Sequence, residues 1–595
     1  MKKSALLFVL LGFLFGCQTD AFEIINESPE SVIQSLFAIN DARSVTLGWT
    51  NQGSGVLVEY TVHRSERPNF TPSSQTFYRT LPVTATRFID SAVTRNRLYY
   101  YRLVPVQVGS AGGSYDGIPS SVAIGRPYDY SSPGTIQYGE HIQPIFTSSC
   151  AVHGCHVGYD DEGIEKRGSL LKVQHGGQFS LKSWADLFDG SRDGAVAVPF
   201  KSSKSDLIFH TNSDTLIAPV AEPHMPLPGF DLPIAQLRTL IRWIDGGAVN
   251  DQGGIPYTIT PKGKVFVVNA SEDLIAVIDV ARNLVIRYAN VGKAADSSSL
   301  FGSPHHVRVD KQARFFYVTL ISSQELWKFS VSTYELLGRV NIPFQPADVV
   351  LSSTGDTAYV SSFISVPGRV TLVNTRTMQP IGTISLNFAS RPHGLVLSRN
   401  GANLFTTNLG SGNVTMIKTA DHSQSLIALD TTGNPFASDA RPYLADITPD
   451  DRYLYVTDFA ADAGNIFVID LLTDPTKPAK VIPIGGRSVH VAVSPNGQYA
   501  FVCNFDSSSV DVITTADYSV TRIRGVGRQP HGVIFTPDGS TAYVTTENQS
   551  SPEPAHHPTA GSGGVSQVTL IDVATLSIVK RIEVGAFGQG ISITP

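Results

Sequence analysis

Between residues 255 and 595 one hydrophobic pattern recurs seven times: Phe266-Val267-Val268, Tyr317-Val318-Thr319, Tyr359-Val360-Ser361, Phe405-Thr406-Thr407, Tyr455-Val456-Thr457, Phe501-Val502-Cys503 and Tyr543-Val544-Thr545. Successive copies lie 42 to 51 residues apart. A second apolar run follows each, as in Ala276-Val277-Ile278-Asp279, Phe467-Val468-Ile469-Asp470 and Thr569-Leu570-Ile571-Asp572. Turns such as Ser494-Pro495-Asn496-Gly497 and Thr536-Pro537-Asp538-Gly539 punctuate the pattern. Strand runs repeating at this period predict one four-stranded blade per repeat, hence a seven-bladed β-propeller. The closing Gly590-Ile591-Ser592-Ile593-Thr594-Pro595 reads as an opening strand with nothing after it. It is expected to join the first blade and seal the ring, because open strand edges invite aggregation.

A different pattern occupies residues 30–127. Apolar positions alternate in Val45-Leu47-Trp49, Val56-Val58-Tyr60-Val62 and Tyr99-Tyr101-Leu103, which predicts short strands of a β-sandwich. Ser44-Val45-Thr46-Leu47-Gly48-Trp49, Tyr60-Thr61-Val62-His63-Arg64-Ser65, Phe88-Ile89-Asp90 and Tyr99-Tyr100-Tyr101-Arg102-Leu103 together resemble a fibronectin type III domain. That resemblance implies that the early Trp is core and that a late Tyr makes a corner hydrogen bond. The aromatics are then packing groups and the domain a spacer. Between these regions, Leu237, Leu240, Ile241 and Ile244 mark a helix over Leu232–Ala248, with Trp243 beside its apolar face and Gly246-Gly247 at its end.

The expected architecture is therefore mostly β and multidomain: a β-sandwich, a small helical domain over 134–250 and the propeller over 255–595. Composition agrees, with 42% hydrophobic and 16% charged residues, 51 Gly and 36 Pro. The net charge of −6 supplies no field that would draw the chain onto nucleic acid, so no nucleic-acid partner is expected.

Met1-Lys2-Lys3 followed by the apolar run Ala5–Phe15 reads as a signal peptide over residues 1–17, too short to span a bilayer. It ends in Leu14-Phe15-Gly16-Cys17, which resembles the lipobox of bacterial lipoproteins. The resemblance implies diacylation of Cys17 and anchoring to a membrane, and Gln18 favours the outer membrane, on its periplasmic or cell-surface face. Ordinary secretion with Cys17 incidental is the alternative.

Candidate chemistry concentrates in Cys150-Ala151-Val152-His153-Gly154-Cys155-His156. Two thiols can add to the vinyl groups of one haem, and the His directly after the second Cys then reaches the iron as proximal ligand. Four residues separate the cysteines here, against the usual two, so the loop must bulge. Met225, in Glu222-Pro223-His224-Met225-Pro226, is the candidate distal ligand, with its flanking prolines expected to hold the loop extended. His210, His224 or an open position are the alternatives. A Cys150–Cys155 disulfide and a zinc site using these residues remain open readings of the pair.

The order Ile142-Gln143-Pro144-Ile145-Phe146, the cysteine pair with His156, Gly168-Ser169-Leu170-Leu171, Val198-Pro199, Ser205-Asp206-Leu207-Ile208, Met225-Pro226 and Trp243-Ile244-Asp245-Gly246-Gly247-Ala248 resembles the planctomycete-type cytochrome c family. Phe200 stands where that family usually has Gly. The resemblance implies one covalent haem c with its iron. The propeller repeats resemble the YVTN family, known mainly from exported proteins.

Twelve residues before each motif aromatic, from the second repeat on, stand His305, Ala347, His393, Tyr443, Val489 and His531, with Gln589 in the matching place of the last strand. Strand starts near the axis would gather His305, His393, Tyr443 and His531 at one mouth of the channel, as a metal or substrate pocket or as a Pro-His-Gly turn inherited by duplication. Cys503 reads as a small core residue. The functional expectation is an electron-transfer or redox-sensing lipoprotein whose propeller docks an unknown redox partner. The alternatives are a haem-dependent oxidoreductase with its active site at the mouth, and a surface-binding scaffold without a redox role.

Overall fold

Every element described here comes from a computed structural model covering residues 33–51, 57–108, 112–130, 134–152, 156–157, 179–191, 194–226, 230–297, 301–460, 464–548 and 565–595. Cys17 with the signal segment, Cys155, and the loop holding His556 and His557 lie outside the described residues. The chain divides into two units, one running to Tyr128 and the other taking up Asp129–Ala151 and Cys155–Pro595.

In the first unit, Ile33–Asn40, Val45–Asn51 and Arg87–Asp90 form one antiparallel sheet. Phe77–Pro82, Leu57–Ser65 and Tyr99–Val108 form the core of a second, to which Ser114–Asp116 and Ala123–Gly125 also pair. The alternating residues read from the sequence fill the space between them: Leu47, Trp49, Tyr60, Tyr101 and Leu103 are buried in one cluster, with Trp49 edge-on to Tyr60 at 5.4 Å. Asp90 is buried, and its carboxylate accepts hydrogen bonds of 2.8 Å from Arg64, Tyr78 and Tyr101. Burial alone would raise its pKa, but these donors hold it below the usual carboxylate value. At the strand corner the Tyr99 hydroxyl accepts the Thr94 N–H at 2.9 Å.

The second unit contains seven four-stranded sheets. The innermost strands are Pro304–Val309, Pro346–Leu351, Pro392–Leu397, Pro442–Ile447, Ser488–Val493, Pro530–Phe535 and, for the first blade, Gly588–Ile593. That last strand pairs antiparallel with Lys264–Asn269, Ile591 opposite Val267, so the end of the chain closes the ring as its pattern required.

The recurring third position of the aromatic motif has a physical reason. Thr319, Ser361, Thr407, Thr457 and Thr545 each accept a backbone N–H from the inner strand of their own blade at 2.8–3.0 Å. Each also donates its hydroxyl to a carbonyl on the next blade's inner strand: Ala347, His393, Tyr443, Val489 and Gln589 respectively. Small residues let these strands approach: a Cβ on Gly394, Gly532 or Gly590 would meet neighbouring backbone at 2.6–2.7 Å. In the sixth blade Cys503 occupies the hydroxyl position and is fully buried. Restoring the hydroxyl with Cys503→Ser, a near-isosteric change, is expected to raise stability by about 1 kcal/mol. Thermal unfolding measures this, and a lowered midpoint would refute the role assigned to the hydroxyl.

The described residues of 134–250 include four short α-helices: α1 (Gln143–Ser149), α2 (Trp184–Phe188), α3 (Asp206–Thr211) and α4 (Ile234–Asp245). α4 is the helix predicted over Leu232–Ala248, shortened by Pro233 at its start and by Gly246-Gly247 at its end, Gly247 having φ +100. Trp243 lies within its buried stripe rather than beside it. The segment expected to form a small helical domain is joined to the propeller in one unit. Ala195 and Val198 enter the first-blade core with Val265, Val267 and Leu274. Lys204 pairs with buried Glu272 at 2.6 Å, and the Arg287 guanidinium lies 3.6 Å above the Phe200 ring. Phe200 has φ +64, a conformation that favours glycine. Its side chain is nonetheless what fills the gap between Gly247 and Arg287.

Candidate functional site

The start of each inner strand places its second residue at one mouth of the channel, and the four residues singled out there do converge. His305 and His393 have ring centroids 5.2 Å apart, His305 and His531 6.1 Å, and His531 and Tyr443 6.1 Å. Tyr443 stacks on His393 at 3.8 Å and on Phe459 at 4.9 Å. His305 Nδ1 lies 2.8 Å from the Ala347 carbonyl and His393 Nδ1 3.1 Å from that of Tyr443. A carbonyl only accepts, so both Nδ1 atoms carry the proton and both Nε2 atoms are acceptors. His531 Nε2 is 3.7 Å from the Glu547 carboxylate, which also accepts from Gln589 at 3.2 Å. Buried His531 Nδ1 has no hydrogen-bond partner. Burial lowers the pKa of all three imidazoles, that of His393 and His531 well below the usual value, where the neighbouring histidines add to it. The mouth is lined by neutral imidazoles at pH 7.

The sequence reading missed the next layer, one to three positions further along the same strands. His306 faces Asp348 at 3.4 Å and His490 at 6.3 Å between ring centroids. His490 Nδ1 accepts the Val533 N–H of the next blade at 3.0 Å. Burial, then the nearby Arg308 charge, take its pKa to about 3. Asp348 receives N–H groups from Val349 and Leu395, yet burial pushes its carboxyl up to about 6. Asp446 and Ser592 bind Val493 and Val309 of the following blades in the same way. The register that exposed His305 would have exposed these residues had it been read along the whole strand.

In the segment before the propeller, Cys150 caps the end of α1, is buried, and donates its backbone N–H to Phe146 O at 2.8 Å. The His156 N–H returns to Cys150 O at 3.1 Å, and the His156 ring stacks on Phe179 at 4.3 Å. The Met225 N–H bonds to His210 O at 2.6 Å, while His210 Nδ1 donates to Pro223 O at 2.9 Å. The Met225 loop is turned, with cis bonds before Pro223 and Pro226, where an extended form was expected. The described donors, a buried thiol, an imidazole on a residue whose backbone is bonded to that of Cys150, and a thioether, are of the chemical types that hold a c-type haem. No group of three or more His, Cys, Asp or Glu among the described residues is arranged to hold a metal ion. The metal alternative for the mouth therefore has no such grouping behind it among the described residues.

Seven four-stranded blades closed by the C-terminal strand, around an axis lined with imidazoles, define a seven-bladed β-propeller with a polar channel. The family described as "Lactonase, 7-bladed beta-propeller" matches residues 322–531. The chain is 23% identical over 222 residues to the uncharacterized protein YncE of Salmonella typhi and to that of Salmonella typhimurium, the match covering 36% of this chain and 57% of the relative. The chain thus spans little more than half the length of these curated relatives. Among solved structures, Kuenenia stuttgartiensis hydrazine synthase aligns with a TM-score of 0.39 at 17% identity over 48% of this chain and 87% of that one. A functionally unknown protein from Desulfotomaculum acetoxidans aligns with a TM-score of 0.43 at 12% identity, over 56% and 99%.

Proposed function

We propose that this chain is an exported c-type cytochrome, lipid-anchored through Cys17 to the outer membrane, in which a propeller of the lactonase and YncE type serves as the binding platform for a redox partner. The observation that carries the reading is the thiol–imidazole order ending in His156, with Cys150 buried at the end of α1 and His156 bonded back to it. Cys150 and Cys155 would tether the haem, His156 would be the proximal ligand and Met225 the distal one. When bound, the haem supplies one-electron transfer. The chain's own part is to bury the first thiol, to orient the imidazole against Phe179, and to fix the Met225 loop through His210. Lys204–Glu272 and Phe200–Arg287 then fasten the haem segment to the first blade. The sandwich, read as fibronectin type III-like, is the spacer.

A second reading, a haem-dependent oxidoreductase acting at the mouth, is favoured by one observation. His305 and His393 present unprotonated Nε2 atoms beside Tyr443 and the Glu547–His531 pair, a set able to accept protons from a bound substrate. A scaffold without redox role is what remains if no haem attaches.

The test is expression of the full chain with cytochrome c maturation machinery, followed by a pyridine haemochrome spectrum. The expected result is one haem per chain, retained through acid-acetone extraction and lost in Cys150→Ala/Cys155→Ala. Met225→Ala is expected to keep the covalent haem but abolish its low-spin spectrum. Colourless wild-type protein would overturn the proposal.

A further inference from the structure

The far half of the channel, beyond the His305–His393–His531 layer, holds a cavity of about 520 Å³. That volume falls in the range of small-molecule sites. Its walls come from several blades and are mixed, with Val350, Leu395, Val491, Val533 and Ile591 forming an apolar part beside His306 and His490. Three cations, Arg308, Lys311 and Arg399, line it against the carboxylate of Asp446.

The acidic groups are already engaged. Asp446 accepts N–H groups from Ile447 and Val493 at 2.8 Å, and Asp348, behind His306, accepts those of Val349 and Leu395 at 2.7 and 2.9 Å. Arg308 is not used to the same extent. Its Nε donates to Val349 O at 3.1 Å, but among the described residues its terminal nitrogens approach only His306 Nε2 at 3.5 Å and Asp348 at 3.8 Å. A guanidinium offers five N–H donors in a planar fork that matches a carboxylate. Arg308 is also only one-third exposed, its side chain at 32%, so a partner there is partly shielded from water.

We propose that this cavity binds a small organic monocarboxylate, its charged end on the Arg308 fork with Lys311 nearby and its apolar body against Val350, Leu395, Val533 and Ile591. The site is separate from the imidazole mouth and independent of the haem assignment. A carboxylate is the anion whose two oxygens match the planar Arg308 fork, while Arg399 is already turned to Asp446 and the Ile447 carbonyl.

Calorimetric titration of the purified full chain with octanoate tests this, with octan-1-ol as the uncharged probe of equal length. Octanoate is expected to bind saturably and at least about tenfold more tightly than octan-1-ol, a difference of about 1.4 kcal/mol. Arg308→Gln is expected to remove that preference, Arg308→Lys to restore part of it, and Lys311→Gln, an exposed change that leaves the fold intact, to weaken octanoate binding severalfold. Equal binding of the two probes, undiminished octanoate binding in Arg308→Gln, or no saturable octanoate binding would each overturn the proposal.

Discussion

Acidification from pH 7 to pH 5 is expected to destabilise the propeller steeply. His305, His306, His393, His490 and His531 are all held below the ordinary imidazole pKa of 6.5 by burial. Below pH 6.5 the unfolded chain takes up protons at these positions that the folded chain refuses. The unfolded state is therefore favoured by up to about 1.4 kcal/mol per pH unit for each histidine. Asp348 acts in the opposite direction: raised to about 6, its carboxyl holds a proton in the fold that the unfolded chain releases until its own value of 3.8. Asp458, also raised by burial, opposes in the same way. Five histidines that refuse protons outweigh two carboxyls that retain them, so stability falls as the pH drops below 6.5. Urea unfolding at pH 7, 6, 5.5 and 5 measures it. His490→Asn, whose side-chain oxygen can still accept the Val533 N–H, should reduce the slope by one proton. Constant stability between pH 7 and pH 5 would refute the neutral cluster.

The second large effect is expected at Lys204 and Glu272. Both side chains are almost fully buried, 6% and 4% exposed, and the Glu272 carboxylate also accepts the Ala586 N–H at 2.9 Å. One carboxylate thus links the helical segment, the first blade and the last blade. Lys204→Ala leaves that charge buried without its cation, at an expected cost of about 3–5 kcal/mol. Lys204→Met with Glu272→Gln removes both charges, keeps an acceptor for Ala586, and is expected to recover most of the loss. Denaturant midpoints of the single and double variants check this, with hydrogen exchange across α3 and α4 reporting whether the segment loosens first. A near-neutral Lys204→Ala would show that the pair contributes little to the docking.

The parts of this molecule that repeat were the parts legible from sequence. A period-two pattern with a recurrent aromatic marks a blade strand in any context, so the seven sheets, the closing strand and the axial grouping of His305, His393, Tyr443 and His531 follow from alignment of the chain with itself. The threonine and serine hydroxyls that join blade to blade were visible as letters, but their role depends on the neighbouring strand, which no local pattern contains. His490 and Asp348 share a register column with His306, one position past the residues that were compared, and the ring brings them beside His306 and Arg308. The docking of residues 134–250 was illegible because its contacts, Ala195 and Val198 in the first-blade core, Lys204 with Glu272 and Phe200 with Arg287, join residues separated by long stretches of chain. Phe200 was noticed only as a departure from a family pattern, and its contact with Arg287 gives that departure a purpose.

Ring closure has a consequence for how the chain is made. Lys264 and Thr594 meet across 330 positions of sequence, so every blade is synthesised before the first can be completed. Until Gly588–Ile593 arrives, the strand Lys264–Asn269 exposes a bare, strongly apolar rim. Two unfinished molecules can trade their last strands across that rim as readily as one can bite its own tail. Assembly in the cell therefore becomes a race between self-closure and entanglement, decided by local crowding of nascent chains and by whatever chaperone shields the rim.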